Sequence, residues 1–142
     1  NIIYFYPAFF YPHKNHSNLL EAFKILDEHN QIPYKLLLTA NNNKSNNTDE
    51  MNNSNIIFLN NTSFQDIFSI YKYVDYLVYP SLVESFGLPL IEAQINHVNI
   101  IASDLPYVYD VCKPYLVFDP RSVNDILSKL KLSLKINKRL IL

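Results

Sequence analysis

Apolar and polar positions along the chain fall into short apolar runs separated by longer stretches of helical period. Asn1–Tyr6 (NIIYFY) is β-branched and aromatic, the composition of a buried strand. Pro7 ends it, and residues 7–15 carry two prolines and read as a loop. Leu19, Ala22, Phe23 and Leu26 recur at i, i+3, i+4 and i+7, which predicts a helix over 16–29 with one apolar face. Tyr34–Thr39 and Asn55–Leu59 read as strands, and residues 40–55 between them are polar enough to predict a mobile surface loop. Ser63 with Asp66 resembles a capping box that opens a helix to about Lys72. Asp75–Tyr79 is the next strand, 80–87 a loop, and Leu88 to about Asn96 a helix with Pro89 in its first turn. Val98–Ala102 and Tyr115–Phe118 are further strands, and Ser122 with Asp125 caps a C-terminal helix.

This order of elements predicts an α/β fold, Rossmann-like, with a mostly parallel sheet flanked by helices. Ligands of such sheets bind at the carboxyl ends of strands. The candidate active edge is therefore made of loops 7–15, 40–54, 60–63, 80–87 and 103–107.

Composition narrows the function. The 142 residues are 49% hydrophobic and suffice for one domain. Twelve basic against 13 acidic residues disfavour a nucleic-acid partner. A single cysteine, Cys112, excludes an internal disulfide and a cysteine-rich zinc module, and reads as a buried structural thiol of a cytoplasmic protein. His13 and His16 lack a third ligand nearby, so no metal site is expected; His16 reads as a surface or site-edge histidine, His97 as a turn residue and Cys112 as no nucleophile. The Asn-X-Ser/Thr triplets at Asn43, Asn46, Asn52 and Asn60 follow from an Asn-rich composition rather than from secretion. Lys129, Lys131, Lys135, Lys138 and Arg139 read as a solvated helix face, with peripheral contact to an anionic membrane surface as the lesser alternative. The chain has 18 asparagines and one glycine, Gly87.

That glycine lies in the most informative segment, Tyr79–Ala93 (YPSLVESFGLPLIEA). Glu84 sits in a loop, Ser85-Phe86-Gly87 follows, and a helix starts near Leu88 with Glu92 inside it. A helix N-terminus offers free N–H groups to an anion. A glycine just before it lets backbone approach closely. Carboxylates on either side suit sugar or ribose hydroxyls. As rival readings, Glu84 is a surface carboxylate, Glu92 a solvated glutamate and Gly87 an ordinary turn residue.

Seven residues separate Glu84 from Glu92, and PSLVESFGLPLIEA resembles the E-x7-E motif of retaining, nucleotide-sugar-dependent glycosyltransferases of family 4 with the GT-B fold. VDYLVYPS, NIIASDLP, PHKNHSNLLEAFKIL and SFQDIFSIYKYVDYLVYPS are similar to the neighbouring segments of that family, in the right order. The resemblance implies that residues 1–142 are the donor-binding, C-terminal half of a two-domain enzyme whose N-terminal acceptor domain is missing here. It implies that Glu84 contacts donor-sugar hydroxyls and Glu92 the ribose. Backbone N–H groups of Ser85, Phe86, Gly87 and Leu88 would hold the diphosphate, and Lys14 would neutralise it as it departs. Base recognition would use backbone around Asn60–Ser63. No cofactor or metal is implied. The partners implied are a nucleotide sugar, a glycan or lipid-linked acceptor, and the missing domain. The intact enzyme would build bacterial surface glycans such as lipopolysaccharide or capsule, in the cytoplasm or at the inner face of the cytoplasmic membrane. The chain alone would turn over nothing.

Departures from the family pattern exist. Phe9 stands where the family has an arginine five residues before the lysine; His13 or the missing domain would have to substitute. His97 and Asn99 stand where Gly and Pro are usual. The loss at Phe9 keeps open a non-catalytic nucleotide-sugar-binding or assembly domain. A flavodoxin-like regulator would need an acidic cluster or flavin loop that the sequence lacks.

Overall fold

The apolar runs pair into one six-stranded sheet of order β3-β2-β1-β4-β5-β6. The computed structural model describes residues 1–40, 53–60 and 62–141. The strands are β1 (Ile2–Tyr6), β2 (Tyr34–Leu38), β3 (Ile56–Phe58), β4 (Tyr76–Tyr79), β5 (Asn99–Ser103) and β6 (Leu116–Phe118). All five pairings are parallel, with Tyr4 opposite both Leu36 and Tyr76, and Ala102 opposite Val117. The helices are α1 (His16–His29), α2 (Phe64–Ile70), α3 (Leu88–Ile95), α4 (Pro106–Val111) and α5 (Val123–Ile141). Right-handed crossovers that step in opposite directions from the centre put their helices on opposite faces. Accordingly α1 packs with α5, while α3 packs with α4, β4 and β5.

Both expected caps form. Ser63 Oγ accepts from the Asp66 N–H at 3.2 Å, and Ser122 Oγ accepts from the Asp125 N–H at 3.0 Å. Between β5 and β6 the chain forms the short helix α4. The expected loop over 40–55, with Asn43, Asn46 and Asn52, falls largely outside the described residues.

The core is rich in tyrosine because its phenols find partners. Tyr4 OH and Ser133 Oγ lie 2.6 Å apart, and Tyr76 OH donates to the Ser133 carbonyl at 3.0 Å, tying the sheet centre to α5. Tyr34 OH donates to Asp27. Buried hydroxyls need such partners, since an unpaired one costs about 1–3 kcal/mol. Cys112 is buried and its thiol donates to the Val108 carbonyl at 3.3 Å.

His16 departs from expectation. It is 5% exposed, with its ring packed against Tyr6 and Phe10 and Nε2 3.2 Å from the Ala8 carbonyl. As the first residue of α1 it turns inward, where the apolar stripe of that helix meets β1. Nδ1 has no protein partner. Burial pushes the imidazole down to about 4, the Ala8 hydrogen bond offsets part of this, and the Lys14 charge adds to the depression.

Candidate functional site

Strand order reverses between β1 and β4, so the loops that leave their carboxyl ends diverge and open a crevice. Residues 7–15 follow β1 and residues 80–87 follow β4. The first loop folds into one 3-10 turn, Pro12–Lys14, with Pro12 at its start. The two loops are sewn together: the Leu82 N–H donates to the His13 carbonyl at 2.8 Å.

This brings Lys14 and Glu84 together across 70 residues of sequence, as an ion pair between Lys14 Nζ and Glu84 Oε1. Their side chains are 18% and 11% exposed. Ser81 Oγ lies 2.8 Å from the same carboxylate oxygen. Burial pushes the Glu84 carboxyl up. The bonds from Lys14 and Ser81, the neighbouring Tyr79 phenol and the Lys14 charge outweigh it and hold the group below its ordinary value. Glu84 is therefore an anion at neutral pH.

Beneath the pair lies a layer of phenols. Tyr6 OH donates to the Lys14 carbonyl at 2.7 Å, and Tyr107 OH donates to the Ser81 carbonyl at 2.6 Å. Tyr6 and Tyr79 meet edge to face with ring centroids 5.4 Å apart. Burial raises all three phenols well above their ordinary range, so they stay neutral donors. Sequence reasoning missed Tyr6 and Tyr79, because both end apolar strands and read as core. Their position as the last residue of each strand, beside a candidate loop, was the available signal. Asn15 was missed too: it is 6% exposed and its side-chain amide donates to the carbonyls of Pro80 and Pro120 at 3.0 and 2.8 Å.

Gly87 is the N-cap of α3, with φ 61 and ψ 46. This left-handed conformation is what requires glycine there. A Cβ on Gly87 would point inward, 3.1 Å from Leu90 Cδ1 and 3.8 Å from Val111 Cγ2. Leu88 and Pro89 open the helix, and no side chain caps it. Ser85, Phe86 and Leu88 are exposed, Phe86 at 75%. Glu92 is half-buried on α3, near the Tyr71 phenol, which donates to the Pro89 carbonyl at 3.3 Å. The segment thus presents a helix N-terminus whose first turn has no acidic side chain, flanked by Glu84 on one side and Glu92 on the other.

Beyond β1, β2 and β3 the same sheet edge carries a cavity of about 550 Å³. Phe9, Phe10 and Tyr11 line one side, and Leu59, Asn60 and Thr62 the other. Phe9 is 67% exposed and bears no charge. His13 is exposed and stacks on Tyr11, with centroids 5.9 Å apart. Among the described residues no three His, Cys, Asp or Glu side chains cluster as metal ligands.

Comparison with known proteins shows the family and the fold. The model of the family described as glycosyl transferases group 1 matches residues 1–140. The O-antigen chain mannosyltransferase RfbU of Salmonella typhimurium (strain LT2) is 39% identical over 56 residues, which are 39% of this chain and 16% of that protein. Three solved structures share the fold. A glycosyltransferase from Rickettsia africae ESF-5 has a TM-score of 0.76 at 20% identity, covering 95% of this chain and 38% of that one. Anabaena Alr3699/HepE, solved in complex with UDP and glucose, has a TM-score of 0.73 at 15% identity, covering 97% and 40%. Sucrose-phosphate synthase (tll1590) from Thermosynechococcus elongatus has a TM-score of 0.72 at 22% identity, covering 94% and 36%. The chain thus spans well under half the length of each of these four proteins. With nearly its whole length matched by the family model, the chain belongs to the group 1 glycosyltransferases.

Proposed function

We propose that this chain is the donor-binding, C-terminal half of a family 4, GT-B glycosyltransferase. The intact enzyme transfers a sugar from a nucleotide-diphosphate sugar to an acceptor hydroxyl with retention of configuration. The observation that carries this reading is the meeting of Lys14 and Glu84 at the β1–β4 switch point.

In this reading the diphosphate lies at the N-terminus of α3 and takes hydrogen bonds from the backbone N–H groups of Ser85 through Leu88. Glu84 accepts from hydroxyls of the donor sugar, and Glu92 from the ribose. The base lies toward Asn60–Ser63, in the cavity walled by Phe10 and Tyr11. Breaking the bond between sugar and phosphate builds negative charge on the leaving diphosphate. A fixed ammonium at Lys14 stabilises that charge as it forms. Before the donor arrives, Glu84 holds Lys14 near this position. The donor then takes over both partners, its phosphate that of Lys14 and its hydroxyls that of Glu84. Organic cofactors and metals are not needed.

The similarity to an O-antigen mannosyltransferase supports a role in bacterial surface glycan synthesis, with a glycan or lipid-linked acceptor held by a second domain. The solved neighbour that carries UDP and glucose supports a nucleotide sugar as donor. Exposed Phe9, Val83, Phe86 and Leu88 suit contact with that second domain. We place the enzyme in the cytoplasm, with the exposed Lys131 and Lys135 of α5 available to an anionic membrane surface.

The test is donor hydrolysis and sugar transfer by the intact protein. Glu84→Ala should lower turnover by about 100-fold or more while the fold is kept. The isolated chain should turn over nothing. A folded Glu84→Ala enzyme with undiminished turnover overturns the assignment.

A further inference from the structure

We propose that Asn15 is a positioning residue for the Lys14–Glu84 pair, an inference that rests on the donor reading above. Asn15 follows Lys14 directly and adopts φ 63 and ψ 33. Glycine adopts this conformation without strain, and asparagine is among the side chains that tolerate it best. The chain therefore accepts some strain here to gain a side chain. That side chain stands at the N-cap position of α1 yet makes no cap bond to the helix. Instead its amide nitrogen donates to Pro80 at 3.0 Å and to Pro120 at 2.8 Å, 65 and 105 residues away in sequence.

The consequence is mechanical. Pro80 opens the loop that carries Glu84. Tyr6 holds the carbonyl of Lys14 at 2.7 Å. One amide thus hangs the Glu84 loop on the backbone next to Lys14, and Pro120 braces both from the β6–α5 connection. A lysine on a flexible stem gains little from a partly exposed ion pair alone, because ordering the stem costs entropy. The Asn15 clamp fixes the separation of the two loops, so that ammonium and carboxylate are presented together.

The test is a double-mutant cycle on the intact protein, read as the Kd for UDP and for GDP by calorimetry, with a thermal melt of every variant. Asn15→Gly keeps the backbone conformation and deletes the amide. Lys14→Ala should weaken nucleotide binding about tenfold. Asn15→Gly should weaken it about fivefold when Lys14 is present and less than about twofold when Lys14 is already alanine. The same factor in both backgrounds, or no effect of Asn15→Gly, overturns the proposal and leaves the donor reading standing. No effect of Lys14→Ala, or no binding of either nucleotide by the wild type, overturns the donor reading and this inference with it. Should Asn15→Gly fail to fold, Asn15→Ala runs the same cycle, since it removes both donors and adds no charge beside Lys14. Failure of both to fold counts against the proposal, because Asn15 would then be a determinant of the fold.

Discussion

His16 and Gly87 show how single residues here answer to backbone and burial before they answer to chemistry. Unfolded, the His16 imidazole takes a proton near its ordinary value of 6.5; folded, it does so only at about 4. Between these values the unfolded state binds more protons, so the stability present above pH 6.5 is lost as pH falls toward 4. The expected loss is roughly 3 kcal/mol, and urea unfolding of the wild type and His16→Leu across that range should show it only in the wild type. Glu84 behaves alike at lower pH. Its depressed value gives stability that is present above 4.5 and lost as pH falls below it, and Glu84→Gln should flatten that limb. Gly87→Ala forces a side chain to a positive φ and presses Leu90, a flexible neighbour, so thermal melts should show a loss of about 1–2 kcal/mol. None of these depends on the enzyme turning over.

At the scale of elements, the chain uses asparagine and histidine where other proteins place glycine. Among the described residues the positive-φ positions are Asn15, His97 and Gly87. His97 follows α3, and the Val98 N–H closes back on the Ala93 carbonyl at 2.9 Å, a turn that favours glycine. His97→Gly should therefore stabilise the protein by about 0.5–1 kcal/mol in thermal melts. At the start of α5, Ser122→Ala should cost about 1 kcal/mol, because Ser122 caps the Asp125 N–H. The bounds of α1 and both serine caps were legible in the sequence, because each depends on residues a few positions apart. The E-x7-E segment was legible as a motif, but the Lys14–Glu84 contact was expected only through their separate roles. It depends on the order of strands, which local periodicity does not encode. The inward turn of His16 and the Asn15 clamp escaped the sequence for the same reason. Their partners, Ala8, Pro80 and Pro120, are backbone carbonyls, and a carbonyl leaves no mark on residue type.

For the whole molecule, the sheet order explains why the site is where it is. Crossovers leave β1 and β4 in opposite directions, and the loops that carry Lys14 and Glu84 are the pair that such a reversal leaves facing each other. The α3 N-terminus and the Phe10–Tyr11 cavity extend this site along the same edge. No helix among the described residues is long and apolar enough to cross a membrane. The basic run of α5 includes Lys138 and Arg139, whose side chains lie outside the described residues; within it Lys129 pairs with Asp125 at 3.2 Å, while Lys131 and Lys135 are exposed. The central claim is that this sheet edge holds a nucleoside diphosphate, and calorimetric titration of the intact protein with UDP and GDP tests it most directly. The account predicts saturable binding of one of the two, weakened about tenfold by Glu92→Ala with the fold intact. Absence of binding by either nucleotide, or binding that Glu92→Ala leaves unchanged, would contradict it.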